Sequence, residues 1–254
     1  MDVIANPHDA FFRESFSRRE VAADFLQNHL PPALLAQLDL NSLELDKDSY
    51  VSPDLRQSVS DLVYRLRFNA GGPLFLYLLF EHKSHPDRWV ALQLLRYFVF
   101  QGEAYRKQHP GARYLPPVYP LVIYHGRQRW TGPLDLHALV QPLPPEMTAM
   151  VPQFHYALQD LSPYSDTEIK GQILSRLAQQ ALRWIHSDEP LSRLSELIGL
   201  IQRVQSRETA LQVLESLIRY YTQGTGKVDE ADVRRLLEQT TNGDPIMQTF
   251  IDRY

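Results

Sequence analysis

Residues 61–83 read DLVYRLRFNAGGPLFLYLLFEHK and contain two apolar segments joined by a glycine-rich turn. Residues 58–68 are rich in apolar and aromatic side chains with a strand-like pattern, and residues 74–83 form a second run that is apolar on both faces. The turn between them, residues 69–73, contains two glycines and a proline, which predicts an antiparallel hairpin. A strand that is apolar on both faces belongs at the centre of a sheet that is covered on both sides.

The residues that follow the hairpin predict a helix and a further buried strand. Residues 87–108 have helical spacing, and residues 118–124 are a second apolar run. A helix that returns the chain to such a strand makes a parallel crossover, so we expect parallel pairing here. Residues 154–158 are expected to form an edge strand.

The two ends of the chain have helical patterns. We expect two short helices in the first 30 residues and one more helical turn at residues 33–40. From Ser165, a capping pattern and successive apolar stripes predict helices. The sequence therefore predicts an α/β domain over residues 1–163 and a helical C-terminal region over residues 164–254.

The helical spacing of residues 87–108 is carried by apolar side chains. They are Trp89, Leu92, Leu95, Tyr97 and Val99. Aromatic residues of the first helix and of this helix are assigned to the core, namely Phe11, Phe12, Phe16, Trp89, Tyr97 and Phe98.

The composition excludes several classes of protein. The chain has 254 residues and no cysteine, which excludes disulfide frameworks, thiolate zinc sites, iron–sulfur clusters and cysteine nucleophiles. The longest apolar run, residues 74–80, is far too short to span a membrane. The N-terminus carries Asp2 and Asp9 and lacks the apolar core of a secretory signal. We therefore expect a soluble, cytoplasmic protein.

The net charge is unevenly distributed. The formal net charge is −4, yet residues 96–130 hold six basic residues and one acid, so this segment carries +5 and the rest of the chain −9. A basic segment on an acidic chain is typical of a protein that binds a polyanion. A solvated face with distant counter-charges gives the same pattern, and the two interpretations stay open.

Charged residues gather at one end of the predicted hairpin. Antiparallel pairing of its strands places Asp61 opposite Glu81. Because side chains alternate along a strand, Glu81 and Lys83 share a face while His82 points away. Buried charges are costly unless they are paired or bound to a metal. The hairpin end is therefore either a strand end in water or a Mg²⁺ site, since two carboxylates suit this ion.

These residues resemble a known signature. Asp61, Glu81-x-Lys83 and Gln93 on the following helix resemble the signature of PD-(D/E)xK nucleases. Five ordered blocks between residues 7 and 160 resemble, more narrowly, the recombination-promoting nuclease (putative transposase) family of bacteria. The blocks are Pro7–Asp9 with Phe11–Phe12, Ser60–Tyr64, Leu79–Ser84, Leu94–Tyr97 and Pro120–Gly126.

The resemblance implies a fold and an activity. The fold would be a PD-(D/E)xK core, a mixed central sheet flanked by helices, with the helical C-terminal region added. The activity would be Mg²⁺-dependent DNA endonuclease activity associated with recombination or mobile elements, with other divalent cations as alternatives. Asp61, Glu81 and the backbone carbonyl of His82 would hold the metal.

The resemblance also assigns catalytic roles to polar side chains near the metal. Lys83 and Gln93 would orient the attacking water, and Lys83 would also stabilise the transition state. Many relatives have glutamine where this chain has Lys83, and the lysine makes the nuclease triad more complete. Asp9 and Glu14 are candidates for an outer carboxylate.

DNA-binding residues are assigned within the basic segment. Arg96 is assigned to a phosphate contact, and Arg127 and Arg129 to the DNA-binding surface. His125 is either a second DNA contact or a hydrogen-bonded loop residue.

Two other functional classes stay open at this point. One is a DNA-binding accessory protein whose nuclease site is idle, and the other is an interaction module that has kept the fold. The basic segment favours DNA as the partner over a protein alone. Whether the protein forms homo-oligomers stays open, and no membrane partner is expected.

Overall fold

The computed structural model describes residues 6–46, 62–69, 75–163 and 167–240, with the backbone alone for residues 75–81 and 240. The chain divides into two compact units. A sheet unit comprises residues 29–163, and a helical unit comprises the residues up to 28 together with those from 164 onward. The sequence groups the first helices with the sheet, whereas in the structure they pack with the C-terminal helices.

The sheet unit is built on a mixed sheet that has five strands in its described part. They are β1 (Leu38–Leu45), β2 (Leu62–Phe68), β3 (Phe75–Lys83), β4 (Val118–Tyr124) and β5 (Ala157–Asp160), in this spatial order. The pairs β1–β2 and β2–β3 are antiparallel, and β3–β4 and β4–β5 are parallel. The predicted hairpin and parallel crossover are thus confirmed, while the predicted edge strand at residues 154–158 starts three residues later, at Ala157.

A single long helix, α4 (Val90–Gln108), makes the crossover from β3 to β4. Its buried side chains are Val90, Ala91, Leu94, Tyr97 and Gln101. The four hydrophobic ones, Val90 to Tyr97, pack with Val63 of β2 and Val122 of β4 in one core cluster. Trp89, which the sequence assigned to the core, is instead 57% exposed, and Leu92 and Val99 are 49% and 51% exposed. The assignment of Trp89 is wrong because α4 has apolar residues on two faces, and the sheet packs against the face that carries Val90 and Leu94.

The strand β1 was missed by the sequence analysis. The helical turn expected at residues 33–40 is limited to α3 (Pro32–Leu35), and the chain is already extended at Leu38. Contacts with β2 hold β1 in place: Glu44 forms an ion pair with Arg65 at 3.0 Å, and the Ser42 hydroxyl accepts a hydrogen bond from the backbone N–H of Arg67. A bulge lies between residues 39 and 44. It interrupts the alternation of buried and exposed side chains by which a strand is recognised in a sequence.

The helical unit contains the remaining described helices. They are α1 (Pro7–Phe16), α2 (Arg19–His29), α5 (Ile173–Trp184), α6 (Pro190–Ile201), α7 (Arg207–Gly224) and α8 (Glu230–Thr240). Helix α1 packs on α7, where Phe11 stacks on Tyr220 with ring centroids 4.3 Å apart and His8 Nδ1 lies 2.8 Å from the Tyr220 hydroxyl. Burial raises the pKa of Tyr220 well above its ordinary value, so its hydroxyl stays protonated. None of the described helices is both long and apolar enough to span a membrane.

Helix α5 begins later than the sequence predicts. The capping pattern at Ser165 predicts a start near residue 166, but the helix starts at Ile173. Its N-terminus is capped by a side chain from α2, because Asp24 Oδ2 accepts a hydrogen bond from the backbone N–H of Gln172 at 2.9 Å. Gly171 has φ +122°, and a β-carbon there would collide with the same carboxylate. A cap from a distant residue leaves no local signal in the sequence.

The loop after β4 lies very close to the end of β3. A β-carbon added at Gly126 would collide with the Tyr124 phenol and would lie 2.7 Å from the backbone carbonyl oxygen of Ser84. Only glycine permits this close approach of two backbones. The glycine therefore sets the distance between the β3 and β4 ends.

We expect Gly126→Ala to destabilise the protein by about 1–3 kcal/mol, the usual cost of overpacking a tight site. Gly199→Ala is the matched control, because Gly199 lies on an exposed face of α6 with no atom within 4 Å of an added β-carbon. Alanine there should stabilise the helix by about 0.5–1 kcal/mol. Thermal denaturation of both variants measures the two effects. Equal stability of the two variants would show that the close approach at Gly126 is unimportant.

Candidate active site

The carboxyl ends of the three parallel strands form a row of polar residues. In the strand registers, Lys83 of β3 pairs with Tyr124 of β4, and Tyr124 pairs with Asp160 of β5. Directly paired residues share a face of the sheet. The face is the one that α4 covers, because Val122 lies two positions before Tyr124 and belongs to the α4 core cluster. The row therefore lies where the helix meets the strand ends.

Lys83 makes the central contacts of this site. Its Nζ donates a hydrogen bond to Gln93 Oε1 at 3.0 Å, and it lies 3.3 Å from Asp87 Oδ2. The Lys83 side chain is 17% exposed, so its ammonium is close to water but held in place by two partners. Two of the predicted catalytic residues, Lys83 and Gln93, are thus in direct contact.

Asp87 is a site residue that the sequence analysis missed. Its carboxylate contacts Lys83 with one oxygen and accepts a hydrogen bond from the backbone N–H of Trp89 with the other, at 2.8 Å. It thereby links the lysine to the first turn of α4. An acid just before a helix is a common start signal, and this signal could have identified Asp87 as a structural residue but not as a partner of Lys83.

The predicted metal ligands are described only in part. Asp61 lies outside the described residues, and at position 81 the structure describes the backbone, which pairs with Val122 in the β3–β4 ladder. Gln93 Nε2 is buried and has no hydrogen-bond partner among the residues described. Within the described ranges, no three or more His, Asp and Glu side chains form a cluster that could hold a metal ion.

His82 and His125 lie away from the Lys83 side chain. His82 is 6% exposed and His125 is fully buried, with their ring centroids 5.7 Å apart. The backbone N–H of His125 donates to the carbonyl oxygen of Lys83 at 3.0 Å, which extends the β3–β4 ladder by one residue. Burial excludes the direct DNA contact that was one of the two interpretations of His125. It is a core histidine.

The two predicted outer carboxylates lie in the helical unit. Asp9 forms an ion pair with Arg13 at 3.1 Å, and Glu14 accepts hydrogen bonds from Ser216 and from the Arg219 guanidinium. Both carboxylates therefore have local structural partners. Their role as outer ligands stays a prediction.

The tyrosines near the row are held in their neutral form. Burial raises the pKa of Tyr124, and the negative charge of Asp160 raises it further. Burial likewise raises the pKa of Tyr156 to about 12, and its hydroxyl donates to the Pro133 carbonyl at 2.8 Å. Asp160 itself accepts hydrogen bonds from the backbone N–H groups of Trp130 and Ser162. The hydroxyls of Tyr124 and Tyr156 therefore stay protonated at neutral pH and act as structural supports.

All six basic side chains of the positively charged segment are exposed. They are Arg96, Arg106, Lys107, Arg113, Arg127 and Arg129. Arg96 lies on α4, and Arg127 and Arg129 follow the end of β4, shortly after the residue that pairs with Lys83. The segment therefore presents its positive charge to solvent.

The fold and the site define a mixed α/β protein with a polar site at the carboxyl ends of its parallel strands, the place where open α/β sheets usually bind ligands. A family model described as "putative transposase, YhgA-like" matches residues 6–212. The chain belongs to this family. The resemblance to the recombination-promoting nuclease (putative transposase) family is thereby confirmed.

Curated relatives are found in Escherichia coli. Recombination-promoting nuclease RpnC of strain K12 is 27% identical over 95% of this chain and 78% of its own length. Recombination-promoting nuclease RpnA of the same strain is 30% identical over 79% of this chain and 65% of its own length. A third relative from this strain, the inactive recombination-promoting nuclease-like protein RpnE, is 27% identical over 83% of this chain and 69% of its own length. No solved structure matches the chain.

The two contacts of Asp87 can be separated by mutation. Asp87→Asn removes the charge next to Lys83 but keeps an oxygen for the Trp89 N–H, so we expect a loss below about 1 kcal/mol, as for other partly exposed ion pairs. Asp87→Ala removes both contacts and should cost about 1 kcal/mol more, the usual effect of losing a helix-start hydrogen bond. Urea denaturation followed by tryptophan fluorescence measures both values. Equal losses in the two variants would contradict the role of the Trp89 contact.

Proposed function

We propose that this protein is a metal-dependent endonuclease that hydrolyses DNA phosphodiester bonds in recombination or in the movement of mobile elements. The observation that carries the proposal is the Lys83–Gln93 contact at 3.0 Å, which joins two residues that the nuclease signature assigns to one site. Membership of the family and the names of the RpnC and RpnA relatives support the reaction class.

The strand register supports the rest of the signature. The described β2–β3 ladder ends with Leu62 opposite Phe80. This is the register that the sequence analysis requires if Asp61 is to lie opposite Glu81. Position 81 pairs with Val122, which is fully buried, and alternation along β3 gives it the same face as Lys83. A carboxylate at such a position needs a cation, and both Lys83 and a metal ion would supply one.

The topology supports a PD-(D/E)xK core. Three antiparallel strands are followed by a helix and by a strand parallel to β3, and the central strand of this mixed sheet carries Glu81 and Lys83 of the signature. The PD-(D/E)xK fold is therefore part of the proposal, and the sequence signature and the strand order support it.

The donor set of the proposed site suits Mg²⁺. Two carboxylates, Asp61 and Glu81, and the backbone carbonyl of His82 are hard oxygen ligands, which Mg²⁺ prefers together with water and substrate phosphate. When bound, the ion polarises a phosphate oxygen and makes a bound water more acidic. Two carboxylates are few, so the loss of either one should prevent binding.

Lys83 and Gln93 would position the attacking water and the phosphate. The ammonium of Lys83 donates hydrogen bonds and offsets negative charge that develops on the phosphate in the transition state. Gln93 holds that ammonium through its Oε1, and its buried Nε2 is available as a donor to water or phosphate. Asp87 Oδ2 lies 3.3 Å from the same ammonium and provides a second contact for it.

Cleavage of supercoiled plasmid with and without Mg²⁺ tests the proposal. Asp61→Ala or Glu81→Ala should abolish nicking, because each removes one of two carboxylate ligands. Lys83→Ala should leave metal binding intact and slow cleavage by roughly 10²–10³, the usual effect of losing one electrostatic stabiliser. Lys83→Gln should keep more activity than Lys83→Ala, since an amide can still orient water.

The control for these variants is His85→Ala, because His85 is exposed and lies two residues beyond Lys83. His82→Ala is unsuitable as a control, since the buried imidazole would leave a cavity. Nicking that survives in Asp61→Ala or Glu81→Ala would contradict the site. Plasmid binding by the wild-type protein without any nicking would instead favour the idle DNA-binding alternative.

The basic segment predicts DNA binding that depends on salt. If Arg127 and Arg129 contact phosphates, affinity should fall steeply with salt concentration, because binding releases condensed counterions. Reversing both residues to Glu should weaken binding to all sequences about equally and reduce the slope of log affinity against log salt. Fluorescence anisotropy with two unrelated duplexes measures these effects. A flat salt response would contradict the assignment.

A further inference from the structure

Helix α4 presents a second apolar face to solvent. Its exposed residues recur at spacings of three and four and so lie on one side of the helix. They are Trp89 at its N-terminal end, Leu92, Arg96, Val99, Phe100 and Glu103, and we call this set the outer face. Leu115, which is 49% exposed, lies beside α4, 3.1 Å from where a β-carbon at Gly102 would stand. A contiguous patch of several large apolar side chains marks an interaction surface.

The opposite face of the same helix is already used. Val90, Ala91, Leu94 and Tyr97 pack against the sheet, so α4 has apolar residues on both sides although the described residues of the sheet unit cover just one. A helix that is apolar all round is normally buried all round. The outer face is therefore suited to a partner.

We propose that the outer face binds a second copy of this chain, with two α4 helices packed antiparallel about a two-fold axis near Val99 and Phe100. In such a dimer the same patch serves on both subunits, and a contact from residue i to residue j occurs twice. The apolar residues nearest the axis would pack against their own copies, with Leu92 and Trp89 extending the contact outward.

The charges on the outer face are self-complementary in this arrangement. Arg96 and Glu103 are seven residues apart on one side of α4, so a two-fold axis midway between them brings Arg96 of each copy opposite Glu103 of the other. Glu103 is the single acid of the basic segment. Neither residue forms an ion pair with another residue in the described part of the chain. The dimer would give both of them a partner.

The composition of the outer face favours this occupant over nucleic acid. Exposed aliphatic side chains such as Leu92 and Val99 form neither hydrogen bonds nor ion pairs with a phosphate backbone. The carboxylate of Glu103 on the same face repels it. The inference is independent of the nuclease proposal, since it is tested without DNA and without metal.

Sedimentation velocity over a range of concentrations tests the apolar part of the contact. The wild-type chain should form dimers, and Leu92→Asp should weaken them on the order of 100-fold, because the change acts twice in the interface. Leu134→Asp is the matched control: Leu134 is 45% exposed, close to the 49% of Leu92, but lies outside the outer face. It should leave the dimer unchanged.

Charge reversal tests the register. Arg96→Glu and Glu103→Arg should each weaken the homodimer about 10-fold, because each brings two pairs of like charges together. A mixture of these two variants should form a heterodimer of wild-type affinity, since both cross-subunit pairs are then again of opposite charge. The double variant that carries both reversals should also dimerise like the wild type. Circular dichroism checks that each variant is folded.

Three results would overturn the inference. They are a wild-type chain that stays monomeric at the highest attainable concentration, equal weakening by Leu92→Asp and Leu134→Asp, and a mixture of the two reversed variants that does not associate. A monomer whose Trp89 fluorescence is quenched by a single-stranded oligonucleotide would assign the outer face to nucleic acid instead. None of these results bears on whether the Lys83 site cleaves DNA.

Discussion

The strand β3 forms two ladders, antiparallel with β2 and parallel with β4, and the rest of the sheet unit depends on this double pairing. Parallel pairing requires a crossover, so the chain must leave β3, cover one face of the sheet and return as β4. That crossover is α4. Because the helix starts seven residues after Lys83, its first turns lie over the end of β3, and Gln93 meets the lysine there. The polar site is thus a direct consequence of how β3 pairs.

Much of this arrangement could be predicted from the sequence, because local patterns determine it. A two-sided apolar run after a glycine-rich turn specifies a central strand in a hairpin, and residues 87–108 specify a helix long enough to cross over. The observed register, with Leu62 opposite Phe80, is the one that the turn implies. The Lys83–Gln93 contact follows from these elements, since the lysine ends a strand and the glutamine lies in the first turn of the next helix.

Other features could not be predicted, because residues distant in sequence determine them. The strand β1 is held by the contacts of Glu44 and Ser42 with β2. The start of α5 depends on a cap from Asp24, which is almost 150 residues earlier. Trp89 was wrongly assigned to the core for a related reason: α4 has two apolar faces, and periodicity alone does not determine which of them packs against the sheet. The position of Asp87 just before a helix is a recognisable helix-start signal. Its contact with Lys83 could not be predicted, because it depends on the conformation of the turn between the two residues.

The two faces of α4 connect the site to assembly. Gln93 contacts Lys83 at one side of the helix, and the neighbouring residue Leu92 belongs to the outer face. The Lys83 ammonium already has two contacts within one chain, with Gln93 at 3.0 Å and with Asp87 at 3.3 Å. Pre-organised donors stabilise developing charge better than mobile ones. The proposed site is therefore assembled within one chain, and the proposed dimer would use the outer face of the same helix without contributing a catalytic group.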